Sequence, residues 1–206
     1  RWRPPFISGY DLTDRCHLNG LAMRDGKPAF VTALGRADTP AGWRERKADG
    51  GILMFVDDGQ IISEGLSMPH SPRWYRNQLW VLESGNGALV KVDPETGSRE
   101  TVAEVPGFTL GLDFIDRFAL IGLSQVRETN VFAGLPLTRR ESERHCGVWV
   151  VNIETGETVA YVTFTGEVRE IFAIQIVPFP FPVVLDMGDP LVRTSYALPD
   201  EALQVV

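Results

Sequence analysis

Cysteine, histidine and long apolar runs are all scarce in this chain of 206 residues. It contains two cysteines and three histidines. The thiols of Cys16 and Cys146 are too few for the disulfide framework of a secreted domain. Three prolines interrupt the longest apolar run, residues 174–185, which is shorter than the roughly 20 residues of a membrane-spanning helix. We therefore expect a globular protein with no membrane span, located in the cytoplasm.

Positive charge is also in short supply, since 20 Lys and Arg residues face 27 Asp and Glu residues. The net charge of −7 leaves no broad electropositive surface, so we expect no nucleic acid partner. The chain begins without an initiator methionine or an apolar signal core, which suggests a fragment or a processed chain. By contrast, 20 glycines and 14 prolines suit many short strands joined by turns.

A motif occurs three times, at residues 51–59, 87–97 and 147–156. Each copy has a glycine, a short strand, an Asp or Asn, and a tight turn closed by glycine. The Asp or Asn side chain bonds the backbone ahead of it, and glycine adopts the positive φ of the turn. Each copy therefore predicts a hairpin, whose two strands we call c and d.

A second strand pair, a and b, precedes each hairpin, at residues 18–34, 70–82 and 110–123. A fourth a-strand is expected at residues 170–177. The opening glycines at 51, 87 and 147 lie 36 and then 60 residues apart. Four strands repeated at this period are typical of propeller blades, with an insertion at residues 124–146.

The sequence thus predicts an all-β fold, a partial β-propeller of about 3.5 four-stranded blades over residues 1–177. Because closure takes roughly 4–8 blades, the parent would have six or seven, with the rest supplied upstream or by a partner chain. Residues 178–206 are predicted to be a Pro-rich irregular tail, packed on the domain or extending from it. A β-sandwich is the alternative, but it does not predict the aligned motif.

The unusual residues gather on one face of such a propeller, which we call the loop-rich face. It carries the d-to-a connections (residues 11–20, 64–73, 105–111 and 166–170) and the b-to-c connections (residues 35–50 and 124–146). Only short turns occupy the opposite face. All three histidines, His17, His70 and His145, belong to the loop-rich face. Long loops that persist in a compact domain are often functional.

Several polar residues near the starts of the a-strands are candidates for a site. Imidazole and carboxylate groups that converge there could bind a divalent metal or act as an acid–base pair. The alternative is that His70 and Asn19 satisfy buried backbone groups. The candidate metal ligands are His17, Asn19, His70 and Glu170. The candidate ligand-binding residues are His17, Asn19, His70, Ser71, Arg73, Arg127 and Glu170.

The arginines of this face allow two interpretations. Arg73, Arg127 and Arg169 could form an anion site, or each could pair with an acid close to it in the sequence. Asp14 and Arg15 are predicted to form an internal ion pair. Cys16 and Cys146 each adjoin a histidine, but neighbours on a strand point to opposite sides, so buried inert thiols are expected. Trp43 either packs between blades or stacks on a ligand.

Four segments of the chain resemble a bacterial family of uncharacterised, DUF4915-type proteins. They lie at residues 2–8 (WRPPFIS), 14–22 (DRCHLNGLA), 65–73 (GLSMPHSPR) and 122–128 (GLSQVRE). The resemblance extends over residues 2–177 and implies a longer N-terminus, in keeping with missing blades, but no established reaction. The chain departs from the family pattern at Leu110, where an Arg is usual, and at Ala173, where an Asp is frequent. If those charges serve a site, this copy is weakened or inactive.

Residues 19–22 (NGLA) also resemble the Asn-Gly-Leu signature of gluconolactonase-like six-bladed propellers, in which the Asn helps to bind a divalent cation.

Three functions follow as hypotheses, and whether the protein is an enzyme stays open. The loop-rich face binds a small polar or anionic ligand or a partner protein. Alternatively, the channel holds a divalent-metal-dependent hydrolase or lactonase. The third is an assembly module that completes its propeller with a partner chain.

Overall fold

The computed structural model describes residues 2–10, 12–125, 134–140 and 144–178. The described residues up to Ile176 form one compact unit, and the chain divides after that residue. The predicted tail at residues 178–206 lies outside the described residues except for Pro178, so it stays a prediction.

The described residues form twelve strands and two short helices. The strands are β1 (Leu18–Arg24), β2 (Lys27–Ala33), β3 (Gly51–Phe55), β4 (Ile61–Leu66), β5 (Pro69–Tyr75), β6 (Gln78–Glu83), β7 (Ala88–Val92), β8 (Arg99–Glu104), β9 (Phe108–Ile115), β10 (Phe118–Ser124), β11 (Gly147–Asn152) and β12 (Thr158–Thr163). A 3-10 helix covers Gly42–Arg46, and one turn of α-helix, α1, covers Pro136–Arg140. Within the described ranges, no helix has the length and apolar character to cross a bilayer.

The strands form three four-stranded antiparallel sheets, each paired in chain order: β1–β4, β5–β8 and β9–β12. We call them the first, second and third sheets. Their first strands lie together, since β1 packs against β5 and β5 packs against β9. The outer strands of each sheet follow outward from this centre. The fold is therefore the all-β, blade-type architecture that the repeat predicts.

Two of the three c-to-d turns use the chemistry that the motif predicts, whereas in the first turn Asp58 rather than Asp57 accepts from the Gln60 amide (2.9 Å). Asp93 accepts a hydrogen bond from the Glu95 amide (2.8 Å), and Asn152 accepts one from the Glu154 amide (2.9 Å). In the a-to-b turn of the second sheet, Arg76 and Asn77 both have positive φ, at 50° and 57°. Such primed turns match the right-handed twist of the strands that they join.

The glycine that opens each c-strand is needed because the neighbouring d-strand approaches closely. A Cβ on Gly147 would lie 2.0 Å from the Val162 carbonyl oxygen, and one on Gly51 would lie 2.6 Å from that of Leu66. Neither distance leaves room for a side chain. The repeated glycine is therefore a packing requirement of the blade.

Apolar side chains fill the space between successive sheets. Phe30 and Leu53 of the first sheet pack against Leu79 and Val90 of the second. A second core joins the second and third sheets, through the fully buried residues Leu82, Leu89, Leu112 and Ile121. Because each sheet gives one face to each neighbour, the sheets are held side by side mainly by apolar burial.

The outer face of the third sheet has no such cover among the described residues. Val162 lies opposite Val148 on β11, as Ala103 lies opposite Leu89 on β7. Ala103 is 7% exposed, whereas Val162 is 59% exposed. The first sheet differs, because Ile7 and Cys16 cover part of its free face. Uncovered apolar surface is what the assembly hypothesis expects at the edge of a partial propeller.

The predicted fourth a-strand at residues 170–177 is not a strand in the structure. The segment instead runs beside the third sheet, where the Ile171 amide donates to Ser124 Oγ (3.0 Å) and the Ile176 amide donates to Asp113 Oδ2 (2.6 Å). No described strand pairs with it. A ladder needs two strands, so the sequence pattern of an a-strand did not suffice here.

The Gly147→Ala variant should lose about 1–3 kcal/mol of unfolding free energy, because the new methyl group forces β11 away from β12. Urea denaturation followed by circular dichroism measures the loss. Gly9→Ala is the matched control, since a Cβ there meets no atom within 4 Å. Equal stability of the two variants would contradict the close approach described above.

Candidate functional site

The centre of the loop-rich face lies where β5 begins. The register between β5 and β6 shifts between His70 and Arg73, and Met68 and Ser71 both adopt positive φ, at 47° and 48°. This irregularity breaks the strict alternation of side chains along the strand. As a result His70 and Ser71, which are neighbours in the sequence, both contact residues of β9.

His70 is held by two acceptors at one ring nitrogen. Its Nδ1 lies 2.9 Å from the Met68 carbonyl oxygen and 2.8 Å from Ser84 Oγ. The Ser84 hydroxyl donates in turn to the Thr109 carbonyl oxygen on β9. A carbonyl oxygen only accepts, so Nδ1 carries the proton and Nε2 keeps a free lone pair. In the described part of the chain, Nε2 has no hydrogen-bond partner.

Burial sets the charge of His70. Loss of solvent is the main reason why its pKa falls from an ordinary value of 6.5 to about 4, and the electrostatic effect of His17 acts in the same direction. The hydrogen bond to the Met68 carbonyl oxygen acts in the opposite direction but does not outweigh burial. His70 is therefore neutral at pH 7, and its Nε2 is a hydrogen-bond acceptor.

Ser71 and Asn19 join the inner strands to one another. The Ser71 hydroxyl donates to the Leu110 carbonyl oxygen of β9. Asn19 donates to the Pro69 carbonyl oxygen (2.9 Å) and accepts from the Thr32 hydroxyl (2.7 Å). Both side chains satisfy polar groups between strands, which is one of the two roles that the sequence left open for Asn19.

His17 lies at the start of β1, beside the same centre, and pairs with Asp14. Its Nδ1 is 3.0 Å from Asp14 Oδ2, and Trp43 Nε1 donates to the same oxygen (2.8 Å). Burial alone would raise the pKa of Asp14, but these hydrogen bonds outweigh it and hold the pKa below its usual value. The ionised carboxylate accepts from His17 Nδ1, so Nε2 is the ring nitrogen of this second imidazole that is left for another partner.

The predicted ion pair between Asp14 and Arg15 is wrong. Arg15 instead binds Asp38, with 2.6 Å between Nη1 and Oδ1. Asp14 instead binds His17 and Trp43, so the two neighbouring residues take different partners. Trp43 is buried, and its ring centre lies 5.0 Å from that of His17, so it packs against this histidine inside the protein.

Arg73 lies three residues along β5 from His70. It is half-buried, and its Nη1 donates to the Pro72 carbonyl oxygen (2.9 Å). Burial lowers the pKa of Arg73, and the nearby Asp113 partly offsets that effect. Among the described residues, no carboxylate forms an ion pair with it. Most of its N–H donors therefore remain available.

The remaining predicted residues do not join this centre. Arg127 lies outside the described residues. Glu170 is exposed, and its charge adds to burial in raising the pKa of Cys146. Arg169 donates to Gln125 Oε1 (2.9 Å) rather than to a neighbouring acid.

The metal hypothesis stays a prediction. In the described ranges, no group of three or more His, Cys, Asp or Glu residues is arranged to hold a metal ion. Of its four predicted ligands, Asn19 has its amide committed to Pro69 and Thr32, and Glu170 is exposed.

The thiols Cys16 and Cys146 are free and buried, and burial raises the pKa of both. At neutral pH they are protonated and not nucleophilic.

Sequence reasoning missed Ser84, which orients His70. The sequence did contain a signal for it, which is a serine at the end of a b-strand. Ser84 directly follows β6, and Ser124 is the last residue of β10. The hydroxyl of each serine forms a hydrogen bond with the backbone of the next segment of chain that reaches the centre.

A family profile described as a domain of unknown function, DUF4915, matches residues 1–185. The chain belongs to this family. The match confirms the resemblance that the sequence motifs indicated. It assigns the DUF4915 domain no reaction, ligand or partner.

Other proteins resemble parts of this DUF4915 domain. The quinoprotein glucose dehydrogenase B of Acinetobacter calcoaceticus is 40% identical over 50 residues, which are 24% of this chain and 10% of that protein. The crystal structure of the computationally designed Ika4 protein is similar with a TM-score of 0.46 and 14% identity, over 83% of this chain and 84% of that one. The designed Ika8 protein gives a TM-score of 0.43 and 14% identity, over 78% and 40%.

The neutral state of His70 predicts a pH dependence of stability. Its pKa is about 4 in the folded chain and near 6.5 in the unfolded chain, so only the unfolded chain binds this proton between those values. The stabilisation is complete above about pH 6.5 and is lost as the pH falls towards 4. Between pH 7 and pH 5 the protein should lose about 1–2 kcal/mol more unfolding free energy than His70→Asn does.

Urea denaturation at the two pH values measures this difference. Asn is the matched substitution, because its amide nitrogen can still donate to Met68 and Ser84 but does not titrate. Identical pH profiles for the two proteins would show that His70 is not held neutral by burial.

Proposed function

We propose that the DUF4915 domain is a binding module, whose loop-rich face takes up a small polar ligand at the start of β5. The observation that carries this proposal is the state of His70. Its Nδ1 is committed to Met68 and Ser84, and its Nε2 is an acceptor with no described partner. A half-buried acceptor that the protein itself leaves unused suits a ligand donor, because leaving such a group unpaired costs free energy.

The backbone around His70 supports the same proposal. His17, Met68 and Ser71 all have positive φ without being glycine. Each such conformation costs on the order of 1 kcal/mol or more, and conformations of this kind concentrate at ligand sites. The opposite face has positive φ as well, but there it belongs to ordinary tight turns.

Hydroxyl groups are the donors that best match this site. The Nε2 atom of His70 accepts hydrogen bonds, so a hydroxyl can donate to it, and a hydroxyl can either donate to or accept from the second imidazole, that of His17. The relative named a glucose dehydrogenase acts, by its name, on a sugar. Sugars and polyols are therefore the first ligands to test.

The test is saturation-transfer NMR with a panel of hexoses, polyols, hydroxy acids and amines. Hydroxylated members should show transfer from the protein. His70→Asn should weaken their binding about tenfold, because it removes the Nε2 acceptor and keeps the donor to Met68 and Ser84. His145→Asn is the control, since that ring packs on Trp149 and not at β5. Absence of transfer, or equal binding by both variants, would contradict the proposal.

A second candidate function is assembly, which the outer face of the third sheet favours. Val162 is 59% exposed and Phe164 is 40% exposed, at positions where the second sheet buries Ala103 and Val105 against its neighbour. The occupant that fits this face is another four-stranded blade, carried by a partner chain. Such a contact would repeat the packing already seen twice between sheets.

If a second copy supplies that blade, sedimentation equilibrium should give a mass above that of the monomer. Val162→Asp should return it to the monomer mass, because the new charge would be buried in the contact. Leu12→Asp is the control, at an apolar residue that is 98% exposed away from this face. A monomer at every concentration would contradict assembly between copies.

A further inference from the structure

The strand β5 carries a second polar group, Arg73, three positions after His70, and the proposed function gives it no role. Arg73 is half-buried, and its only described hydrogen bond is donated to the carbonyl oxygen of the preceding residue, Pro72. A guanidinium has five N–H donors, so most of them have no described acceptor. Burying such a group is costly unless an anion or another acceptor meets it.

The acidic residue whose charge acts on Arg73 already accepts hydrogen bonds from other groups. Asp113 on β9 influences the pKa of Arg73 but forms no ion pair with it. Its carboxylate instead accepts from the Ile176 amide (2.6 Å), the Gln175 side chain (3.2 Å) and the Phe114 amide (2.9 Å). The charge of Arg73 is thus only partly compensated within the described residues.

The two groups on β5 demand opposite chemistry from a ligand. His70 Nε2 is an acceptor and needs a donor, such as a hydroxyl, whereas an anion there would face a lone pair. Arg73 needs an acceptor, and its planar fork matches a carboxylate in two parallel hydrogen bonds. Only Ser71 and Pro72 lie between them, so their backbones are at most about 10 Å apart, and one small molecule could form hydrogen bonds with both side chains.

We propose that the ligand of this site is a hydroxylated carboxylic acid of the sugar-acid type, with its hydroxyl groups at His70 and His17 and its carboxylate at Arg73. This rests on the proposed function, because it assigns a chemical class to the ligand of that same site. It adds Arg73 as the residue that determines specificity for an acid over a neutral sugar.

The test is isothermal titration calorimetry with three probes: glucuronate, glucose and succinate. Glucuronate and glucose differ only in the carboxylate, and succinate has carboxylates but no hydroxyl. Glucuronate should bind at least about tenfold more tightly than either, because a hydrogen bond to a charged group contributes about that factor. Arg73→Gln should remove the preference over glucose, and Arg73→Lys should keep part of it through its charge.

Arg76→Gln is the matched control, at an arginine on the opposite face that pairs with Asp116. It should leave all three affinities unchanged, and circular dichroism checks the fold of every variant. Equal binding of glucuronate and glucose, or a preference that survives Arg73→Gln, would overturn the acid assignment while leaving the binding function intact. Succinate binding as tightly as glucuronate would overturn the requirement for hydroxyls. Binding of none of the probes would overturn the ligand class, and the wider NMR panel would then decide the function separately.

Discussion

The strand β5 has to fit between β1 and β9, and much of the described structure depends on how it does so. Pro69 accepts from Asn19 on one side, and Ser71 and Ser84 donate to carbonyl oxygens of β9 on the other. These bonds satisfy polar groups in the crowded centre, where water could not reach them all. They hold in place the irregular backbone of residues 68–71, where the ring of His70 contacts Phe108 of β9.

Electrostatics at the centre follow from the same crowding. Because His70 is largely removed from water, its neutral form is favoured, and the acceptors at Nδ1 determine which nitrogen keeps the proton. His17 lies nearer the surface and takes a carboxylate partner instead. In both imidazoles Nδ1 is thus bound by the protein, and Nε2 is the nitrogen left for a ligand. The binding function and the ligand class that we propose both derive from this arrangement.

Local signals in the sequence account for the blades. Glycine at the start of each c-strand, Asp or Asn at its end and short a-to-b turns located the three sheets, because close approach of strands and positive φ restrict those positions to particular residues. The same signals failed at residues 170–177, where strand-like residues lack a described partner. Strand pairing is not a local property, so a pattern of side chains cannot establish it alone.

The candidate site was only partly predictable. Sequence placed His17, His70, Ser71 and Arg73 on one face, since the order of strands decides which connections share an end of the sheets. It paired Asp14 with the wrong residue and did not find Ser84, because hydrogen-bond partners far apart in the chain depend on how the sheets pack. Residue type and spacing were therefore enough for the blade and its faces. Tertiary structure alone decided the tautomer of His70, the partner of Asp14 and the uncompensated charge of Arg73, since each depends on burial and on contacts between sheets.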